Sequence, residues 1–418
     1  MSRSLLTMRF VLSGVCLCVL TMATGCIPLT GPIGDAPWTR HTIDDSSRGA
    51  DGVRLADVNG DGRMDIATGW EEGGRIRVCL HPGVRGVRKK WPSVTVGEVG
   101  SPEDAVFVDV DDDGAVDVVS ACEGAGRTVW VHWAPNDASD YLNPDAWRTE
   151  ALADTRDTKL WMFCLPMQVD GQLGVDLIVG AKGSNAQIGW FESPADPRDL
   201  AGWAWHPIRA ARWIMSLVAV DMDGDGDLDV VASDRRGEDR GCFWLENPGL
   251  GFLQRLAWPE HHIGGADKEV MFLTVVDLDR DGLLDVLAAT RGHELLYLRR
   301  RAARPDAWES HTIEIPERAG TGKGVAVGDI DRDGRLDIVF TCEHARDKSG
   351  VMWLSYVKSV TDPVWTAHDI SGPEGVKFDR VELLDLDDDG DLDVLTCEEI
   401  TNFGVIWYEN PTIGRRLW

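Results

Sequence analysis

Aspartate recurs at short, regular intervals in this sequence. Residues 329–340 read DIDRDGRLDIVF, which places Asp329, Asp331, Asp333 and Asp337 within nine residues. Carboxylates at this density repel one another unless a cation neutralises them. A calcium ion takes about six to eight oxygen ligands, and a loop can wrap it with ligands at positions 1, 3, 5, 7 and 9 and glycine at position 6. The stretch therefore predicts a calcium loop in which Arg335 contributes its backbone carbonyl.

The loop occurs six times in full, and a degenerate copy begins at Gln168, between the second and third of these. We number the seven copies 1 to 7 in chain order, so that the degenerate copy is copy 3. The sequence predicts about six calcium ions as cofactors, with position 7 of each loop binding through its carbonyl. The ligands, in the order of positions 1, 3, 5, 7 and 9, are Asp57, Asn59, Asp61, Arg63 and Asp65 in copy 1; Asp109, Asp111, Asp113, Ala115 and Asp117 in copy 2; Asp221, Asp223, Asp225, Asp227 and Asp229 in copy 4; Asp277, Asp279, Asp281, Leu283 and Asp285 in copy 5; Asp329, Asp331, Asp333, Arg335 and Asp337 in copy 6; and Asp385, Asp387, Asp389, Asp391 and Asp393 in copy 7.

Copy 3 departs from this pattern. It offers only Asp170 and Asp176 as carboxylates, with glutamines at positions 1 and 5 and Leu173 where glycine belongs. We expect weak metal binding or none there. Replacing Asp333 by alanine should therefore lose one ion, whereas replacing Asp176 should lose little.

Three alternatives to a calcium loop fit the aspartates less well. An EF-hand needs flanking helices and a glutamate at position 12, but a strand-like stretch follows here and position 12 is Phe340 in copy 6. Asp-Gly turns without metal are a common alternative for a single copy, since both residues favour turns. Six copies in register favour metal binding over such turns, and they also argue against acid/base catalysis, because a catalytic site is not copied six times.

The elements around the loops repeat with them. The loops begin between 52 and 59 residues apart. An apolar stretch enters each loop, and a stretch such as DVV leaves it. An aromatic stretch such as FWLENP at Phe243 follows, and then a WxxHxI stretch, as at Trp258, whose histidines we interpret as packing residues; Trp91 and Trp147 mark degenerate copies. Each unit thus reads as four short strands.

Seven four-stranded units with a period in this range predict an all-β, seven-bladed β-propeller of antiparallel blades. The chain opens with a lone WTRHTI strand at residues 38–43 and ends after the aromatic strand of the seventh unit. Pairing these two would close the ring and remove the exposed strand edges. We therefore expect the N-terminal strand to complete the last blade.

The aspartate loops and the strands around them, over residues 38–411, resemble the FG-GAP/VCBS repeat family, best known from the seven-bladed propeller of integrin alpha chains. The resemblance implies that each loop joins the two innermost strands of a blade and binds calcium. It does not imply one activity, because the family includes adhesion proteins, lectin-like modules and some polysaccharide lyases.

The N-terminus is typical of an export signal. Arg3 and Arg9 precede an apolar run and then ATGC, which ends at Cys26. The pattern resembles a bacterial lipoprotein signal with Cys26 lipidated, although Ala23 stands where leucine is usual, so cleavage without lipidation is the alternative. We divide the chain into a signal peptide (1–25), a tether (26–37), the propeller (38–411) and a tail (412–418).

Composition restricts the partners. There are 42 basic and 70 acidic residues, a formal charge of −28, which is the wrong sign for nucleic acid or an anionic membrane surface. Apart from a lipid anchor at Cys26 we expect no membrane contact, and we expect a monomer. The six cysteines after Cys26 show no zinc-like spacing, and we interpret them as mostly free, buried thiols.

Basic residues are predicted near the face opposite the calcium loops, in the connections between units: Lys159, Arg212, Lys268, Lys323 and Lys377. They would suit an anionic ligand such as an acidic glycan; the alternative is that each is a solvated surface charge. Trp161 and Trp213 fall in or next to the same connections, and sugar stacking on them is an alternative to core packing.

The sequence thus predicts an exported, calcium-binding propeller at the cell envelope that acts as a binding or adhesion scaffold for carbohydrate or protein ligands. Secretion or a periplasmic location without an anchor is the alternative localisation. The alternative function is a carbohydrate-active enzyme of the polysaccharide lyase type on the face opposite the calcium loops, for which His344 as base and Lys323 as cationic clamp are the candidates. We favour binding over catalysis.

Overall fold

Each apolar stretch that flanks an aspartate loop forms a β-strand in the computed structural model, which describes residues 36–249 and 252–413. The predicted signal peptide, Cys26 and nearly all of the tether lie outside these residues. Export and lipidation therefore stay predictions.

The 28 strands fall into four classes by their place in a blade. The first strands are β2 (Ala50–Ala56), β6 (Pro102–Val108), β10 (Leu160–Met167), β14 (Ile214–Val220), β18 (Val270–Val276), β22 (Thr321–Gly328) and β26 (Phe378–Leu384). The second strands are β3 (Asp65–Trp70), β7 (Asp117–Cys122), β11 (Asp176–Lys182), β15 (Asp229–Asp234), β19 (Asp285–Thr290), β23 (Asp337–Glu343) and β27 (Asp393–Glu398). The third strands are β4 (Arg75–Cys79), β8 (Val129–Trp133), β12 (Gln187–Glu192), β16 (Gly241–Leu245), β20 (Glu294–Arg300), β24 (Val351–Ser355) and β28 (Gly404–Glu409). The fourth strands are β5 (Ser93–Glu98), β9 (Arg148–Ala151), β13 (Ala204–Ala210), β17 (Glu260–Gly264), β21 (Trp308–Glu314), β25 (Thr366–Asp369) and β1 (Thr39–Asp44).

These strands make seven separate four-stranded antiparallel sheets, so the prediction of a seven-bladed propeller is confirmed. The first strands of neighbouring blades contact one another and line the central channel. β1 pairs with β28, with Thr39 opposite Glu409, and closes the ring as predicted. The helical elements among the described residues are short 3-10 turns at Ala138–Asp140, Pro144–Ala146, Ala153–Thr155 and Phe252–Arg255, and none is long enough to cross a bilayer.

The repeated histidines pack as predicted. In five blades the histidine of the fourth strand lies against an aromatic ring of the third strand, with ring centroids between 3.8 and 5.7 Å apart. The pairs are His41 with Trp407, His206 with Trp190, His261 with Trp244, His311 with Tyr297 and His368 with Trp353. These contacts hold the outer strand of these five blades against the third strand.

The remaining core also follows the sequence pattern. The six cysteines from Cys79 to Cys397 are buried and unpaired, as predicted. Trp161 is only 1% exposed on β10, and its indole N–H donates to the carbonyl of Thr155. Trp161 is therefore a core residue, and sugar stacking on it is ruled out.

A β-bulge interrupts the pairing of the first and second strands at the same place in all seven blades. In blade 1 the register shifts between Asp51 and Arg54, and the shifts in the other blades lie at equivalent residues. A bulge bends the strand and redirects the side chains beside it. It lies at the end of the strand away from the aspartate loop, and so it shapes the opposite mouth of the channel.

Charged side chains connect the blades inside the channel. The Arg54 guanidinium donates to both carboxylate oxygens of Asp104 at 2.8 Å, and Asp104 also accepts the backbone N–H of Cys164. These contacts link the first strands of blades 1, 2 and 3. Removing one partner of such a buried pair should be destabilising, because the other charge is left uncompensated.

Blade 2 contains a buried histidine that should make stability depend on pH. His132 lies between the hydroxyls of Ser120 and Thr149, each 2.9 Å from a ring nitrogen. Burial lowers the pKa of His132 to about 3. The unfolded chain therefore binds a proton below about pH 6.5 that the folded chain does not, and stability falls as the pH drops.

We expect this histidine to cost about 2 kcal/mol of folding free energy at pH 5 relative to pH 7. Urea denaturation of the wild type and the His132→Gln variant, at both pH values in saturating calcium, measures the effect. The difference in the free energy of unfolding between the wild type and the variant should narrow or reverse at pH 5. A gap that stays constant between the two pH values would show that His132 does not carry this dependence.

Candidate functional site

The aspartate loops are held by hydrogen bonds from their own backbone. In six loops a carboxylate oxygen at position 1 accepts the N–H of the glycine at position 6, at 2.8 to 3.1 Å. Position 5 accepts the N–H of position 7 in the same loops. The position 6 glycines have φ between +83° and +101°, which side-chain-bearing residues rarely adopt. These hydrogen bonds and glycine conformations therefore define the shape of each loop without an ion.

The position 9 aspartate has a structural role that the sequence did not reveal. It starts the second strand of each blade and is buried. One oxygen accepts the N–H of position 2 in all seven blades, and the other accepts an N–H at the end of the third strand in six blades. This residue therefore ties the loop to the blade even in copy 3, where Asp176 makes both contacts.

Burial also raises the pKa of the position 9 carboxyls. It reaches about 6 for Asp65, Asp176 and Asp285, and about 9 for Asp393, with neighbouring aspartates of the loop adding to the effect. A cation bound beside such a group would favour its charged form. The electrostatics of the loops thus fit a cation.

The oxygens are also close enough to share an ion. At least four loops each bring three carboxylates together with oxygen atoms within 4.8 Å of one another. These groups are Asp109, Asp111 and Asp117; Asp221, Asp223 and Asp225; Asp277, Asp279 and Asp285; and Asp329, Asp331 and Asp333. Several aspartate clusters can therefore hold a metal ion.

Unpartnered oxygens support the same fit. Buried carboxylate oxygens without a hydrogen-bond partner occur in loops 2, 4, 6 and 7, among them Asp111 Oδ1, Asp227 Oδ1, Asp329 Oδ1 and Asp387 Oδ1. A buried polar atom without a partner is costly, and a bound ion or water usually accounts for it. The donor set consists only of oxygens, which is what calcium prefers.

Arginines outside the loops contact several of the same carboxylates. Arg198 reaches Asp111, Arg299 reaches Asp279, and Arg88 reaches Asp387. Each contact involves one oxygen of position 3, and at Asp111 and Asp387 the second oxygen is the unpartnered one. The arginines therefore offset part of the repulsion and leave an oxygen for an ion.

Loop 3 is closed by a side-chain amide. The Nε2 group of Gln168, at position 1, donates to the carbonyls of Gln172 and Gly174 at 2.9 and 2.5 Å. Gly174 is at position 7, whose carbonyl would be a metal ligand. Leu173 adopts φ of +49° at the glycine position and is 65% exposed. The amide thus occupies the position 7 carbonyl that would bind an ion, which supports the expectation of weak binding or none.

A second candidate site lies at the opposite end of the channel. A depression of about 320 Å³, which we call the funnel, is lined by residues from all seven blades. In every blade a charged residue stands six positions after the aspartate at position 9. All of these residues except Glu399 line the funnel. This set, which we call the mouth ring, is Glu71, Glu123, Lys182, Arg235, Arg291, Glu343 and Glu399.

The mouth ring is divided by charge. Blades 3, 4 and 5 contribute its three cations, and blades 6, 7, 1 and 2 contribute its four acids. The first strands of the blades show the same division into two sides. Six residues before position 1, blades 3 to 5 carry Met162, Met215 and Met271, whereas the other four blades carry Lys323, Asp379, Asp51 and Glu103. The funnel thus has a cationic, apolar side and an acidic side.

Most charges in the funnel are paired with an opposite charge in the funnel or next to it. Lys182 contacts Glu123 and lies 3.4 Å from Glu103. The other pairs are Arg235 with Glu269 at 3.1 Å, Arg291 with Glu343 at 2.8 Å, Lys323 with Asp379 at 3.0 Å, and Lys377 with Glu399. Among the charged funnel residues that the structure describes, Arg236, Asp51 and Glu71 have no side-chain hydrogen bond or ion pair. These three charges are available to a ligand.

The five basic residues that the sequence predicts as ligand-binding lie in two places. Lys323 and Lys377 line the funnel, but Lys323 lies within β22 and not in a connection between blades. Lys159, Arg212 and Lys268 do not line it. Lys159 and Arg212 bond backbone carbonyls of Asn185 and Ser184, and Lys268 pairs with Glu294 at 2.7 Å. Whether these five residues bind a ligand stays a prediction.

The two residues suggested for lyase chemistry have other partners. Burial lowers the pKa of Lys323, but the surrounding acids, Asp379 first and then Asp51 and Glu343, together outweigh burial, and the net pKa is raised. His344 is 59% exposed, and its Nδ1 lies 2.9 Å from the Thr321 hydroxyl. Within the described residues no hydrogen bond or ion pair joins His344 to Lys323. The structure provides no specific support for the enzyme alternative.

Trp213 is the aromatic residue of the predicted pair that reaches the funnel. Three cations lie over its ring, at 4.7 Å for Lys182, 4.5 Å for Arg235 and 4.6 Å for Arg236. Its indole nitrogen has no hydrogen-bond partner among the described residues. The indole nitrogen is buried, and Trp213 therefore offers the funnel an aromatic ring surrounded by three cations on its cationic side.

Comparison with known proteins agrees with this architecture. The family model described as FG-GAP-like repeat matches residues 277–340, which confirms the resemblance to that repeat. No curated protein matches the chain. Among solved structures, a chain from the crystal structure of BBS1N in complex with ARL6DN, soaked with mercury, matches with a TM-score of 0.50 and 10% identity over 90% of this chain and 97% of that chain. The form soaked with lead gives 0.51 and 9%, over 90% and 98%. At this identity the likeness concerns the fold alone.

Proposed function

We propose that this protein is a calcium-binding scaffold that holds an anionic ligand, of the acidic glycan class, in the funnel. A seven-bladed propeller with FG-GAP repeats suggests a binding scaffold in general. The observation that carries the finer proposal is Arg236, a funnel cation without an acidic partner that lies 4.6 Å from the Trp213 ring. A guanidinium beside an indole suits a sugar carboxylate, because it offers bidentate hydrogen bonds next to an apolar surface.

The size of the funnel agrees with a small recognition element. Binding clefts of about 300 to 1,000 Å³ are usual for small ligands, and the funnel, at about 320 Å³, is at the lower end. It suits one acidic sugar unit of a longer chain better than an extended polymer.

Calcium in the aspartate loops and a place at the cell envelope complete the proposal. The loops offer oxygen clusters and unpartnered carboxylate oxygens, and both support calcium. Residues 1–26, with two arginines, an apolar run and Cys26, support export and a lipid anchor.

A glycan-array screen with and without calcium tests the ligand class, and Arg236→Ala tests the site. Loss of a charge-assisted hydrogen bond is worth about 1.5 to 3 kcal/mol, so affinity for an acidic glycan should fall about 10- to 100-fold. Neutral analogues of the same glycan should bind weakly to both proteins.

Arg212→Ala is the matched control. Arg212 is exposed and lines a neighbouring surface groove together with Arg236, but not the funnel. Loss of binding in Arg236→Ala alone places the ligand in the funnel. Equal loss in both variants moves the ligand to the groove, and retention in both contradicts the proposal.

A further inference from the structure

Three carboxylates meet on the acidic side of the funnel, at the end of the blades away from the aspartate loops. Asp51 is in β2, Glu71 follows β3 in the same blade, and Glu103 is in β6 of the next blade. Their oxygens lie within 4.8 Å of one another. Asp51 is six residues before position 1 of loop 1, about 20 Å along an extended strand, so this cluster is separate from the loop.

Asp51 is buried without a partner. Its residue is 7% exposed, yet its carboxylate makes no hydrogen bond or ion pair within the described residues. Glu71 is likewise unpartnered there, although its backbone N–H is fixed 2.7 Å from the carbonyl of Gly49. Glu103 is 9% exposed and has a single ion-pair partner, Lys182, at 3.4 Å. A buried carboxylate without a direct partner is costly, so the arrangement suits a bound cation.

The nearby lysines act on Asp51 only from a distance, because each is directly paired with another acid. Lys323 is engaged by Asp379 at 3.0 Å, and Lys377 is in contact with Glu399. Lys182 contacts Glu123 as well as Glu103, so it keeps an acidic partner if Glu103 turns towards an ion. Among the described funnel residues, the acids without an ion-pair partner are thus Asp51 and Glu71, and Glu103 shares Lys182 with Glu123.

We propose that Asp51, Glu71 and Glu103 bind one divalent cation of the oxygen-preferring class, calcium, manganese or magnesium, at the mouth of the channel. Two oxygens on opposite sides of a calcium ion lie about 5 Å apart, so the spacing of the three carboxylates fits a shared ion. Burial raises the pKa of Asp51 well above its ordinary value, and Asp379 and Glu103 raise it further, whereas Lys377 and Lys323 lower it. This site depends neither on calcium in the loops nor on the anionic ligand.

Crystals of the full protein soaked in Mn²⁺ provide the direct test. We expect an anomalous peak between the three carboxylates, resolved from any peak in the aspartate loops because the two places are about 20 Å apart. In titration calorimetry with Mn²⁺, the Asp51→Asn/Glu71→Gln double variant should bind one ion fewer than the wild type. Glu72→Gln, which changes the exposed neighbouring glutamate in the same way, should bind the wild-type number.

Stability in EDTA separates a cation site from a structural role. Because the double variant removes unpaired buried charge, it should melt at the wild-type temperature or above it in EDTA. It should melt below the wild type in saturating Mn²⁺, since only the wild type gains from the bound ion. A lower melting temperature in EDTA, an unchanged ion count, or no peak in Mn²⁺-soaked crystals would overturn the inference.

Discussion

Chelation of calcium by EGTA should lower the melting temperature of this protein by a large amount. An ion that binds only the folded state stabilises it by about 2.7 kcal/mol at a free concentration one hundred times its dissociation constant. Six such loops would together contribute more than the whole folding free energy of an ordinary domain, which is about 5 to 15 kcal/mol. The loops hold 23 carboxylates at positions 1, 3, 5 and 9, and without ions these also repel one another.

Circular dichroism melts in calcium, in EGTA and after calcium is restored measure this effect. Restored calcium should return the original transition, whereas the same concentration of Mg²⁺ should return less of it, because magnesium demands a tighter octahedral geometry. High salt should recover part of the loss in EGTA by screening the repulsion. Identical melts in calcium and EGTA would contradict calcium binding by the loops.

The propeller could be predicted from sequence because its signals are local and repeated. The aspartate loop fixes one hairpin in each blade, the WxxHxI stretch marks the outer strand, and the unpaired strand at residues 38–43 predicts its pairing with β28. Each of these signals occupies fewer than fifteen residues and recurs in register. Repetition compensated for the weakness of any one copy.

The candidate binding site was harder to predict because it depends on contacts between blades. Lys182 was overlooked although it occupies the mouth ring position, since it follows the degenerate copy. Lys159, Arg212 and Lys268 stand nine residues before position 1, ahead of the strand, whereas the channel-facing residues Lys323 and Asp51 stand six before it. The bulge that orients the latter side chains leaves no mark in the sequence.

The position 9 aspartate shows the same limit, because its partner at the end of the third strand is 17 residues away in copy 3. Replacing Asp176 by alanine should therefore destabilise the protein by about 3 kcal/mol, although we expect no ion to be lost. The change leaves two backbone N–H groups without acceptors in a fully buried setting, and each such group costs about 1 to 3 kcal/mol.

Asp333→Ala is the opposite case and the matched control. Asp333 is exposed at position 5 of loop 6, where it bonds the N–H and guanidinium of Arg335. This variant should lose one ion and the stability that the ion contributes, but it should resemble the wild type in EGTA. Chemical denaturation of both variants, with and without calcium, gives the four free energies of unfolding that are to be compared. Asp176→Ala should be destabilised in both conditions and Asp333→Ala only in calcium, because one aspartate holds the blade together and the other holds an ion. Equal behaviour of the two variants would show that position 9 has no separate structural role.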